Sequence, residues 1–93
     1  MRKIERSTAF RRDYKRESKG KYREKLDNML LPILNSLAAD IPLQANLRDH
    51  LLSGNFSNCR ECHIKPDLLL VYSKGSDDDL QLVRLGSHSE VFG

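Results

Sequence analysis

Apolar residues recur at spacings of three and four along the segment Tyr22, Leu26, Met29, Leu30, Ile33, Leu34 and Leu37. That period places them on one face of a helix. Pro32 falls inside the stripe and removes a backbone donor, yet the stripe continues in phase beyond it. A kinked helix from Lys21 or Tyr22 to about Ala39 is expected, ended by Asp40-Ile41-Pro42. Upstream, Phe10 and Tyr14 lie four apart, with Arg11, Arg12, Lys15 and Arg16 on the other faces. This predicts a first helix capped by Ser7 or Thr8 and ending near Ser18-Lys19-Gly20, with Gly20 in the left-handed conformation. Residues 2–6 predict a short strand with Ile4 pointing inward.

From residue 43 the period changes. Residues 43–58 read as a long connection anchored by Leu47, Leu51, Leu52 and Phe56, with a turn at Ser53-Gly54-Asn55. A connection of this length in a small domain is usually functional. Three strands follow, at about Asn58 to Ile64, Leu68 to Ser73 and Leu80 to Leu85. The turns between them are Lys65-Pro66-Asp67 and Lys74-Gly75-Ser76, the latter running into the acidic loop Asp77-Asp78-Asp79. The predicted order is β-α-α-β-β-β in one domain over residues 1–93. This is an α+β fold: a helical hairpin packs on one face of a small, mostly antiparallel sheet that the N-terminal strand closes. The other face is expected to stay free.

With 39% hydrophobic and 31% charged residues, the composition is that of an ordinary soluble globular chain. No stretch approaches the ~20 apolar residues of a membrane span, and the charged N-terminus lacks the apolar core of a signal peptide. Cytoplasmic residence, with no membrane partner, is the expectation. The net charge of +3 is unevenly spread, because eleven of the sixteen Lys/Arg fall in residues 1–25. A basic segment joined to an acidic body suggests a face drawn to polyanions, or else a solvated pair of helix faces. Cys59 and Cys62 form a C-x-x-C pair, which with His63 and His50 would suggest zinc. Residues three apart on a strand point to opposite faces, and no second pair is present. No metal and no cofactor are therefore expected, and two reduced structural thiols are the reading.

All three histidines fall between Arg48 and Gly93: His50, His63 with Asp67 four residues on, and His88 four residues after Arg84. His63 and Asp67 bracket a turn at one end of a hairpin. Antiparallel pairing of the last two strands would bring Arg84 and His88 to the same end, and His50 can fold over it. If Val83 and Leu85 pack on the helices, Arg84 faces the free side. Cleaving RNA by its own 2′-hydroxyl requires a base, an acid and a positive group at the phosphorane. Histidine serves as either base or acid, and Asp67 could act as base or orient an imidazole. Arg84 offers a fork for phosphate oxygens, and Phe92 a ring for stacking a base. Each has a duller reading as a surface histidine, a turn residue, an ion pair or a core lid.

The segments Asp49-His50-Leu51-Leu52-Ser53-Gly54, His63-Ile64-Lys65-Pro66-Asp67-Leu68 and Arg84-Leu85-Gly86-Ser87-His88-Ser89-Glu90-Val91-Phe92-Gly93 carry the patterns D-H-x-L-x-G, H-x-x-P-D-hydrophobic and R-x-G-[ST]-H-x-x-x-F-G. Together they resemble the YafQ family of toxins within the wider RelE/ParE superfamily. The resemblance implies a ribosome-dependent endoribonuclease acting on mRNA and held inactive by a cognate antitoxin. The implied catalytic positions are His50, His63, Asp67 and His88, with Arg84 and Phe92 holding substrate. Leu68 stands where relatives often have Trp, which puts codon selection in doubt. Two rivals remain: a ParE-like toxin acting on DNA gyrase, and a non-catalytic nucleic-acid-binding module for which the histidines are dispensable.

Overall fold

A computed structural model describes residues 1–75 and 78–93. The chain runs β1 (Lys3–Arg6), α1 (Thr8–Glu17), α2 (Leu26–Ala38), β2 (His50–Leu51), β3 (Arg60–Lys65), β4 (Leu68–Lys74), β5 (Asp79–Gly86) and α3 (His88–Phe92). Single 3-10 turns at Ala45–Leu47 and Gly54–Phe56 punctuate the connection after α2. The expected α+β arrangement is present, with the helices against a five-stranded, mostly antiparallel sheet in the order β1-β5-β4-β3-β2. β1 and β5 pair in parallel, and the other neighbouring strands among the described residues are antiparallel. Of the turn residues expected after β4, Ser76 and Asp77 lie outside the described residues.

Ser7 caps α1, its hydroxyl accepting from the Phe10 amide at 2.9 Å. Gly20 is not left-handed; α1 ends at Ser18 in ordinary helical geometry, and turns occupy residues 19–25. The second helix therefore starts at Leu26, later than expected. Lys19, Lys21, Arg23 and Lys25 crowd that stretch, and positive charge at a helix N-terminus opposes the helix dipole. Asp27 in the first turn of α2 has the favourable sign. The helix then continues through Pro32, and Leu26, Leu30, Ile33 and Leu37 are all buried along the predicted stripe.

Alternation along β4 decides the layering. Leu68, Leu70 and Tyr72 join Phe10, the α2 stripe, Cys62, Leu80, Leu82 and Leu85 in one core. Leu69 and Val71 point the other way, yet they too are only 1% and 0% exposed. The expectation of a wholly free second face therefore fails over β4. There α3 packs on β5 and buries Val91, while Phe56 meets Phe92 edge-on with ring centroids 5.4 Å apart. A bulge in β5 also changes the expected parity. Val71 pairs with Arg84 and Tyr72 with Leu82, so Val83 is the extra residue. Leu82 and Leu85 reach the core in place of the expected Val83 and Leu85, and Arg84 stays on the far face.

Asp40, in left-handed geometry just after α2, accepts from Lys74 and Arg2, both at 2.8 Å. The Lys74 and Arg2 hydrogen bonds hold its carboxyl down at about 2. A carboxyl depressed on folding stabilises above its ordinary range and loses that contribution as pH falls through the folded value. Native chain and Asp40→Asn should accordingly differ in melting temperature at neutral pH and converge as pH approaches about 2. Thermal unfolding across that window, read by circular dichroism, checks this.

Candidate active site

Cross-strand register assembles the site on the sheet face opposite α2. His50 pairs with Glu61, Glu61 with Val71, and Val71 with Arg84, so one transverse row carries His50, Glu61 and Arg84. In the next row His63 pairs with Leu69 and Leu69 with Gly86. The short strand β2, unrecognised in the sequence, is what fixes His50 in this row.

Glu61 is the residue that sequence reasoning missed. Its side chain is 5% exposed, and Oε2 lies 3.1 Å from His50 Nε2 and 3.3 Å from His63 Nε2. The two imidazole centroids are 5.9 Å apart. The Arg48 carbonyl, 2.7 Å from His50 Nδ1, can only accept, so Nδ1 carries a proton. The Nε2···Oε2 contact then needs a further proton, on imidazole or carboxyl. Glu61 Oε1 has no hydrogen-bond partner among the described residues. Leaving a buried acceptor unmet costs on the order of 1–3 kcal/mol, and this oxygen is enclosed, so the more exposed imidazoles of His50 and His63, not Oε1, are the groups that meet an incoming molecule. The available signal was the alternation Glu61-Cys62-His63, which puts the carboxylate on the same face as the imidazole.

The other expected residues divide. His88 and Phe92 sit together on α3, ring centroids 4.9 Å apart, with Phe56 on the far side of Phe92. That helix was not anticipated, although Ser87 and Glu90 form the S-x-x-E capping box that announces one. Gly86 before it is tightly placed: a Cβ there would come within 2.5 Å of Arg16 Nη2. Asp67 does not orient an imidazole. Its carboxylate accepts from Tyr22 at 2.5 Å and Lys21 at 3.1 Å, and those two groups hold its carboxyl below the ordinary range, which weakens it as a base. Arg84 is on the expected face, but its Nε and Nη2 are engaged by Asp13. Beside His63, a groove of about 350 Å³ is lined by Asn46, Leu47, Arg48, Ile64, Lys65 and Pro66, with a cation on either side.

The ligand set first suggested by the cysteines does not form. Cys62 is buried on the helix side of β3, Cys59 precedes the strand, and both are free. Instead His50, Glu61 and His63 bring ligand atoms within 4.8 Å of one another. Two imidazoles and a carboxylate suit a borderline ion such as zinc or copper.

Fold and site together define a small α+β protein with an acid–base cluster on one sheet face. The pattern of the bacterial toxin of type II toxin-antitoxin systems, YafQ, matches residues 2–93. The mRNA interferase toxin YafQ of Escherichia coli K12 is 33% identical over 94 residues, covering 100% of this chain and 98% of the relative. A metal-bound toxin from Helicobacter pylori superposes with a TM-score of 0.84 at 42% identity, over 99% of this chain and 100% of that one. YafQ in the E. coli DinJ–YafQ complex gives 0.83 at 34% identity, over 100% of both chains. The chain belongs to the YafQ family of type II toxin–antitoxin toxins.

Burial, with the charges of Asp49 and Glu61 nearby, pushes the Cys62 thiol up to about 12. It is therefore a poor nucleophile at neutral pH. Alkylation of the folded chain should modify Cys59 and spare Cys62 until denaturant is added, as peptide mass mapping would show.

Proposed function

We propose that this chain is an mRNA endoribonuclease toxin that cuts messenger on the ribosome and is neutralised by a cognate antitoxin. The observation that carries the reading is the proton-sharing cluster of His50, Glu61 and His63, in one row with Arg84. In the proposed reaction His63, held through Nε2 by the Glu61 carboxylate at 3.3 Å, takes the 2′-hydroxyl proton as the 2′-oxygen attacks phosphorus. The bond from phosphorus to O5′ breaks, His88 donates a proton to the departing oxygen, and a 2′,3′-cyclic phosphate remains. Arg84 stabilises the charge that develops on the phosphorane. Phe92 and Phe56 offer rings for a base, and Arg48 and Lys65 line the approach. Asp67 anchors Lys21 and Tyr22 at the rim and does not itself take a proton. The basic N-terminal segment suits ribosomal RNA. No helix of the described residues is long and apolar enough to cross a membrane.

Induced expression tests this, with mRNA ends mapped in growing cells and purified protein assayed with and without ribosomes. Glu61→Gln and His88→Ala should each slow cleavage by roughly 10²–10⁴-fold while keeping the fold. Asp67→Asn should cost less than either. Growth arrest without RNA cuts would favour a gyrase-directed toxin, and native cleavage by Glu61→Gln would remove the proposed support of the imidazoles by Glu61.

The reaction we propose runs on side chains alone, and a transition metal on His50, Glu61 and His63 would occupy the base. Cleavage should persist in EDTA and fall with added zinc. Zinc should raise the melting temperature of the native chain but not that of the His50→Ala, His63→Ala variant. Loss of cleavage in EDTA, restored by zinc, would reverse the assignment.

A further inference from the structure

The outer edge of β5 loses its strand partner beyond Leu82, where β1 stops. Side chains of α1 replace it. Ser7 Oγ donates to the Val83 carbonyl at 2.8 Å, Asp13 Oδ2 accepts from the Leu85 amide at 2.9 Å, and Arg16 Nη2 donates to the Leu85 carbonyl at 2.8 Å. Closing this edge needs only a neutral acceptor, yet the residue in place is an ionised carboxylate, 3% exposed. A buried charge is costly unless it is paired. Asp13 is paired twice: with Arg84 through Nε at 2.7 Å and Nη2 at 3.2 Å, and with Arg16 Nη1 at 3.0 Å. Burial alone would raise its carboxyl, but hydrogen bonds from Arg84 and Leu85 and the two positive charges hold it below the ordinary range.

The consequence for Arg84 is geometric. One edge of its guanidinium is taken by Asp13, and Nη2 also reaches the Glu90 carbonyl of α3 at 3.3 Å. Nη1 has no hydrogen-bond partner among the described residues. Arg16 extends the network to the Glu90 carboxylate at 3.1 Å, and Glu90 in turn accepts from the Ser87 amide that opens the helix bearing His88. We infer that Asp13 is a positioning residue of the cleavage site: it holds Arg84 by one edge so that Nη1 meets the scissile phosphate, and through Arg16 and Glu90 it ties the acid-bearing helix to the same anchor. This rests on the proposed role of Arg84 as the phosphate-holding group.

A mutant cycle on ribosome-bound messenger tests it, with single-turnover cleavage and melting temperature recorded for Asp13→Asn, Arg84→Gln and the double variant. Asp13→Asn should lower cleavage by about tenfold or more, and the double variant should cleave no more slowly than Arg84→Gln, because the first residue acts through the second. A folded Asp13→Asn at native rate beside a slow Arg84→Gln, or losses that multiply, would overturn the inference. Arg84→Gln at native rate would instead remove the role of Arg84 itself, and the inference with it. Should Asp13→Asn fail to fold, the native chain still decides. The Arg84 Nε–H resonance should be sharp, slow to exchange and shifted by inorganic phosphate; a rapidly exchanging signal insensitive to phosphate would sink the idea.

Discussion

Burial of five consecutive residues of β4, Leu68 to Tyr72, constrains most of what surrounds that strand. Leu68 to Tyr72 are buried on both faces of the sheet, so each face needs cover. On one side the cover is the apolar stripe of α2 with Phe10 of α1. On the other side Glu61 and His63 flank Val71 and Leu69, and the capping box at Ser87 and Glu90 turns the chain after β5 into α3 with Val91 inward. Packing α3 on β5 buries Val91 and carries His88 and Phe92 with it. Burial of one aliphatic residue and placement of two candidate site residues are thus one event.

The same face carries a second constraint of opposite character. Glu61 is as buried as an aliphatic residue, yet its Oε2 lies within reach of two imidazole nitrogens, His50 Nε2 and His63 Nε2. Histidine can give or take a proton where a guanidinium cannot. Asp13, at the other end of the row, shows the contrast: two arginines and a backbone amide hold it ionised, so it serves as an anchor and not as a base.

Legibility in the sequence followed the length of the pattern. The α2 stripe, the apolar run of β4 and the element order could be read because many residues repeat one period. The start of α2 could not, because electrostatics at residues 19–25, not hydrophobicity, ends the helical signal. The pair His50–Leu51 is too short to show alternation, and α3 is a single capped turn. Of the candidate site, the histidines, Arg84 and Phe92 were singled out through motifs; the register sets His50 and Arg84 in one row of the sheet, and His88 and Phe92 lie together on α3. The partners of Asp67, Tyr22 and Lys21, could not be read beforehand because they lie across the fold. Glu61 and Asp13 were overlooked because a charged residue in a strand or helix is usually solvated, and only burial shows that these are not.

The parallel pairing of β1 with β5 joins segments far apart in the chain, Lys3 lying opposite Asp79. During synthesis, then, the N-terminal strand waits for nearly the whole polypeptide before it has a neighbour, and contacts this distant form late. The helix carrying His88 comes later still. A chain still short of β5 holds His50, Glu61 and His63 but neither Arg84 nor His88, so the row across the sheet is completed only when β5 has paired with β4. Order of synthesis thus becomes order of assembly for this face: its buried carboxylate is in place before the cation and the helix that complete it.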